Sequence, residues 1–174
     1  MNLLKSLTLA SALGGAVAAF AADQPVVRIE PPTLQGPREL QPQTAKAVIQ
    51  DYLESWKVLG GAFSQNQPDL LGHGFIGAAQ DKLAATIKQQ QLDGVHSLYR
   101  DKSHDVRILF YSPDGLSIEL TDAVQYDVQL FDHDKAIGTE QVHATYIVVL
   151  TPTEVRWRVR IFQAQPESMA VPRI

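Results

Sequence analysis

Val142-His143-Ala144-Thr145-Tyr146-Ile147-Val148-Val149-Leu150-Thr151-Pro152-Thr153-Glu154-Val155-Arg156-Trp157-Arg158-Val159-Arg160-Ile161 decides the fold. Val142, Ala144, Tyr146, Val148 and Leu150 repeat with a period of two, and after Thr151-Pro152-Thr153-Glu154 the same period resumes at Val155, Trp157, Val159 and Ile161. Two alternating runs joined by a short turn predict an antiparallel hairpin with one face in the core. Upstream, Leu116, Ile118, Leu120, Val124, Tyr126, Val128 and Leu130 alternate in the same way, between turns at Ser112-Pro113-Asp114-Gly115 and Asp132-His133-Asp134-Lys135. Proline fixes one dihedral of the first turn and glycine supplies the left-handed one. Val106–Tyr111 is the first strand, and Val95–Ser103 either extends it or is loop. The result is a four-stranded meander.

Helical periodicity precedes the strands. Val48, Ile49, Tyr52, Leu53, Trp56, Leu59 and Phe63 recur every three or four residues, which predicts a helix from Thr44, as N-cap, to Ser64. Gly60 and Gly61 weaken its last turn or mark a close backbone approach. Asn66 caps a short second helix, with Asp69 bonding back, that ends at Gly72-His73-Gly74. A third carries Phe75, Ala79, Leu83 and Ile87 on one face and stops at Asp93-Gly94. The expected class is therefore α+β, with N-terminal helices packed on one face of a curved four-stranded antiparallel sheet.

The ends of the 174-residue chain read differently. Lys5, the apolar run Ser6–Phe20 and the small-x-small sequence Ala19-Phe20-Ala21 have the layout of a signal peptide, 1–21, cleaved after Ala21. The run is shorter than the roughly 20 residues that span a bilayer, so no stable membrane insertion is expected after cleavage. A periplasmic or secreted protein is implied. Residues 22–43 hold Pro25, Pro31, Pro32, Pro37 and Pro42 and predict an extended linker, either a spacer or an arm that lays Val26, Val27 and Ile29 across the domain or a partner. A single α+β domain then occupies 44–163, and 164–174, with Pro166 and Pro172, is a flexible tail. The absence of cysteine excludes disulfides and a thiol nucleophile. A net charge of −4, or −5 without Lys5, does not favour nucleic acid.

Asp122 interrupts the apolar face of its strand, which places it at a hydrated bulge or aims it into a pocket. The opposite face carries Gln125, Asp127, Gln129, His143, Thr145, Arg156, Arg158 and Arg160. Such a face is either a wet surface with cross-strand ion pairs or an interface for a partner or anion, since arginine suits bidentate recognition. Pairing Leu150 with Val155 sets Thr145 and Ile147 beside Arg160 and Arg158, and pairing Val128 with Val142 sets Asp127 opposite His143. Tyr52 and Trp56 line either the core or a ligand cavity. Histidines 73, 96, 104, 133 and 143 lack metal-binding spacing, no phosphate loop or dinucleotide motif occurs, and no serine sits in a nucleophile elbow. Neither metal nor cofactor is expected.

Tyr52-Leu53-Glu54-Ser55-Trp56, Asp69-Leu70-Leu71, Phe75, Tyr146-Ile147-Val148-Val149-Leu150 and Trp157-Arg158-Val159-Arg160-Ile161, in that order of helices and strands, resemble the nuclear transport factor 2-like superfamily. Within it, Trp56-Lys57-Val58-Leu59-Gly60 and the last hairpin are similar to the intermembrane-space domain of chloroplast division proteins. The resemblance implies a conical roll whose cavity lies between helices and sheet. It also implies one of two roles: a non-catalytic domain binding a protein partner or small apolar ligand, or an isomerase, cyclase or hydratase of ketosteroid-isomerase-like type. The second needs Asp122 as base with Tyr126 or Tyr146 as donor, at the wall of an open cavity. A homodimer through the sheet is compatible with the architecture if the three arginines are paired or displaced.

Overall fold

The computed structural model describes residues 24–165. The expected leader and nearly all of the expected tail lie outside them. Strand β1 (Val26–Ile29) is followed by helix α1 (Pro42–Ser64), a 3-10 helix (Pro68–His73) and helix α2 (Ala78–Asp93). Strands β2 (Val95–Tyr111), β3 (Ile118–Asp132), β4 (Lys135–Pro152) and β5 (Trp157–Ala164) complete the domain. They form one sheet in the order β1-β2-β3-β4-β5, so the sheet has five strands where the alternation pattern predicts four. Among the described residues no helix is long and apolar enough to cross a membrane.

The extra strand comes from the proline-rich stretch. Val26–Ile29 run parallel to Ser103–Val106 at the edge of the sheet, and the residues between the prolines keep their amide donors. Glu30, Thr33 and Gln35 give these to the carbonyls of Val106, Ile108 and Leu109 at 2.9, 3.0 and 2.8 Å. Arg38 lies over the Tyr111 ring, 4.5 Å from its centroid, and Nη1 donates to the Pro113 carbonyl at 2.5 Å. Residues 26–38 are thus strapped to β2 rather than hanging from the domain.

Helix α1 starts two residues earlier than Thr44, at Pro42, because the missing N–H of a first-turn proline removes a donor that no carbonyl could satisfy there. Its stripe of Val48, Ile49, Tyr52, Trp56, Leu59 and Phe63 is buried against the sheet. Gly60 and Gly61 mark no close approach, since a Cβ on either would meet nothing nearer than 3.8 Å. The close approach is at Gly74, where a Cβ would lie 2.9 Å from the Ser55 Cα of α1. Phe75 is not helical but bridges Val159, with amides of Ile76 and Val159 bonded to carbonyls of Val159 and Gly74, both at 2.9 Å. Nor does Asn66 cap the 3-10 helix. It adopts a left-handed φ of 52° and donates through Nδ2 to the Val95 carbonyl at 2.7 Å, tying the helices to the start of β2. Gly74→Ala is expected to destabilise by about 1–3 kcal/mol through overpacking against backbone that cannot yield. Gly72→Ala, where a Cβ would meet only the far end of the Gln80 side chain at 3.6 Å, stays near wild type. Paired urea titrations of the two variants check the contrast.

Two irregularities place the side chains that follow. A bulge in β2 between Asp101 and Ser103 brings His104, with Val106 and Ile108, onto the core face. A shift between Val149 and Leu150 pairs Leu150 with Val159 and Thr151 with Arg158. That is four residues from the hairpin the alternation suggests, and it leaves Val155 at the turn, 84% exposed. Leu116 and Ile161, also expected on the core face, are exposed as well. Between β3 and β4 the register differs by two residues, so Gln125 faces His143 and Asp127 faces Gln141.

Candidate functional site

The interior between α1 and the sheet is closed over a polar centre. Tyr52 and Trp56 stand one turn apart on α1 and so project together. Asp122, between Leu120 and Val124 on β3, shows no register shift and points inward with zero exposure. It is not at a bulge, so of the two readings of its strand the inward one describes its direction. Its Oδ2 accepts from the Tyr52 hydroxyl and from His104 Nδ1, both at 2.7 Å. His104 Nε2 is 3.8 Å from Asp101 Oδ2, too long for a hydrogen bond but within reach of its charge. Burial opposes a charge on His104, yet the hydrogen bond and the negative charges of the two carboxylates outweigh it and raise the imidazole to about 9. His104 is therefore an imidazolium at neutral pH, with both ring nitrogens donors. Burial first, and then the Asp122 charge, push Tyr52 well above its ordinary value, so its proton stays on the phenol.

Aromatic rings fill the space around this pair. Trp56 is edge-on or tilted to His104, Tyr126, Tyr146 and Phe162, at centroid distances of 5.2, 5.5, 5.7 and 5.4 Å. Phe162 stacks on Tyr146 at 4.3 Å, and the Tyr126 and Tyr146 hydroxyls meet at 3.0 Å. Behind these rings Asp122 holds the imidazole and the phenol through Oδ2, while its Oδ1 is buried with no hydrogen-bond partner among the described residues. His104 was legible only as one histidine among five, although its parity with Val106 and Ile108 is a signal for the inward face.

The polar residues expected to share one outer face are divided. Gln125, His143 and Thr145 line a shallow cleft of about 220 Å³ on the sheet, with Asp105. Asp127 is ion-paired with Lys102 at 2.6 Å. Arg160 is exposed at the β5 irregularity, beside Gly77. Arg156 and Arg158 belong to a separate cleft of about 450 Å³ at the sheet's β5 end, shared with Glu54, Val58 and Gly61 of α1, with Leu70 and His73 of the 3-10 helix, and with Val155. The cleft exists because the four-residue register change carries these arginines to the strand end that meets the helices. Among the described residues neither arginine makes an ion pair within 4.0 Å, and Nε of Arg158 is shielded from water without an acceptor. A third recess, about 420 Å³ and mostly apolar, lies under the proline-rich strap between Ile29, Leu40, Ile49 and Ile108. No group of three or more metal-ligating side chains occurs among the described residues.

No protein-family model matches the chain, and no curated protein matches it at a significant level. Among solved structures, it is similar to the intermembrane space region of the chloroplast protein ARC6, with 13% identity and a TM-score of 0.59 over 73% of this chain and 98% of that one. It also matches the Kfla4162 protein from Kribbella flavida, at 11% identity and a TM-score of 0.49 over 70% and 91% of the two chains. Aln2 from a Streptomyces species follows at 13% and 0.47, over 74% and 93%. The last two are too distant to bear on the site. The chain shares its α+β fold with the ARC6 region, which agrees with the resemblance read from Trp56–Gly60 and the last hairpin.

Proposed function

We propose that the chain is an exported, non-catalytic binding domain that recognises a protein partner from its surface. One observation carries this reading: among the described residues the space between α1 and the sheet is occupied by aromatic side chains, and the buried Asp122 is tied through Oδ2 to His104 and Tyr52. Recognition is thereby left to the outside, where the β5 cleft presents two arginines that make no ion pair among the described residues. Export to the periplasm or medium, with cleavage after Ala21, is part of the proposal and rests on the layout of residues 1–21. The apolar recess beneath the strap favours a second reading, a small apolar ligand held by Ile29, Leu40 and Ile49.

The test is native mass spectrometry of the protein isolated from its own cell envelope, comparing wild type with a folded His104→Gln variant. A co-purifying protein retained by both supports the partner reading. A small molecule that wild type holds or converts, and that the variant loses, overturns it in favour of chemistry at Asp122.

A further inference from the structure

The β5 cleft has a composition that its neighbours lack. On a chain of net charge −4, it gathers Arg156, Arg158 and His73 against the single carboxylate of Glu54, and that carboxylate is already bonded to Lys57 at 2.9 Å. Both arginines are half-buried, Arg156 in the turn that precedes β5 and Arg158 in its first residues. The Nε of Arg158 has lost its water without gaining an acceptor, which costs free energy until an anion, or a group it reorders, supplies one. Beside the charges run Val58, Leu70 and the 84% exposed Val155, so the ligand must be apolar next to its negative group.

Building on the partner reading, we infer that this cleft binds an acidic, aliphatic peptide segment of the partner, its carboxylates on Arg156 and Arg158 and a branched side chain between Val58, Leu70 and Val155. A bare inorganic anion leaves the apolar wall uncovered, and nucleic acid finds no aromatic stacking platform among the lining residues. The cleft opens to solvent along the protein surface, so a chain can enter and leave it, and its volume of about 450 Å³ accommodates a few side chains rather than a single ion. Carboxylate recognition by two arginines carries a clear signature, because each charge-assisted bond depends on the ligand's charge and on the guanidinium fork.

Fluorescence anisotropy on the folded, full-length exported protein tests this with a labelled Glu-Leu-Asp-Leu-Glu peptide, its amide counterpart Gln-Leu-Asn-Leu-Gln, and inorganic phosphate as competitor. The acidic peptide is expected to bind, with affinity falling about tenfold or more for the amide peptide and for Arg158→Glu. Arg156→Glu behaves likewise, whereas Arg160→Glu, an equal charge change outside the cleft, shifts affinity less than about twofold. Val155→Ser, which removes apolar surface without adding charge, weakens the acidic peptide as well, which a purely ionic site would not show. The inference is overturned if Arg160→Glu costs as much as Arg158→Glu, if phosphate displaces the peptide stoichiometrically, or if no peptide binds at about 1 mM. A protein partner seen by mass spectrometry that survives Arg158→Glu removes the cleft assignment alone. A converted small molecule lost with His104→Gln removes the non-catalytic reading instead.

Discussion

Asp122→Ala is expected to lower the unfolding free energy by about 3–5 kcal/mol, the cost of breaking a buried ion pair from one side. The substitution strands two groups at once: the Tyr52 hydroxyl and the His104 imidazolium, which are 0% and 1% exposed and lose the acceptor at 2.7 Å. Among the described residues His104 has no other side-chain partner close enough for a hydrogen bond, since Asp101 stands 3.8 Å away. For a domain of this size the loss corresponds to roughly 10 °C in Tm. Asp122→Asn keeps the shape and an acceptor for Tyr52 but removes the charge, so it should fall between the two. Pairing Asp122→Asn with His104→Gln removes both charges together, and the double variant should be more stable than the sum of the single losses predicts. Thermal and urea melts of wild type, the two single variants and the double variant form the cycle. A loss below about 1 kcal/mol for Asp122→Ala would show that water reaches the carboxylate and that the closed interior described above is wrong.

The second expectation concerns pH. His104 is raised in the folded state to about 9 from an ordinary 6.5, so folding takes up a proton that the unfolded chain releases over this range. A raised value for a cationic group means that the added stability is fully present below about pH 6.5 and is lost as pH climbs through about 9. Across that window the fall should approach 3 kcal/mol as an order-of-magnitude ceiling, because each pH unit separating the folded and unfolded values contributes about 1.4 kcal/mol. Buried Tyr52 and Tyr126 and half-buried Tyr99 are all raised, by burial first, so their own contribution begins to decline only above about pH 10. Urea midpoints measured from pH 6 to 9.5 should therefore fall steadily in wild type and flatten in His104→Gln. An equal slope in both proteins would place the titrating group elsewhere.

These two expectations arise from residues that the sequence treats very unequally. Asp122 announces itself as the one charged break in an apolar alternation, and Tyr52 and Trp56 as members of a helical stripe. Each of those signals is local, because side-chain direction along a regular helix or strand follows from a period of 3.6 or 2. His104 carries a weaker signal of the same kind, its parity with Val106. What it bonds to depends on a bulge two residues upstream that no composition marks. The edge cleft was legible only in Arg156 and Arg158. Glu54, Val58, Leu70 and His73 join them from α1 and the 3-10 helix, which are distant in sequence.

Local periodicity, then, was enough to establish helices ahead of a meander, the buried stripe of α1 and the core faces of β3 and β4, since each depends on neighbours a few residues apart. Only tertiary structure decided that Val26–Ile29 become a fifth strand, that His104 and Tyr52 meet Asp122 at Oδ2, and that Arg156 and Arg158 leave the outer face for a cleft. Strand pairing is settled by the summed packing of whole elements. A single extra residue, Lys102 in β2 or Arg160 in β5, changes which side chains meet while leaving each strand's own pattern almost untouched.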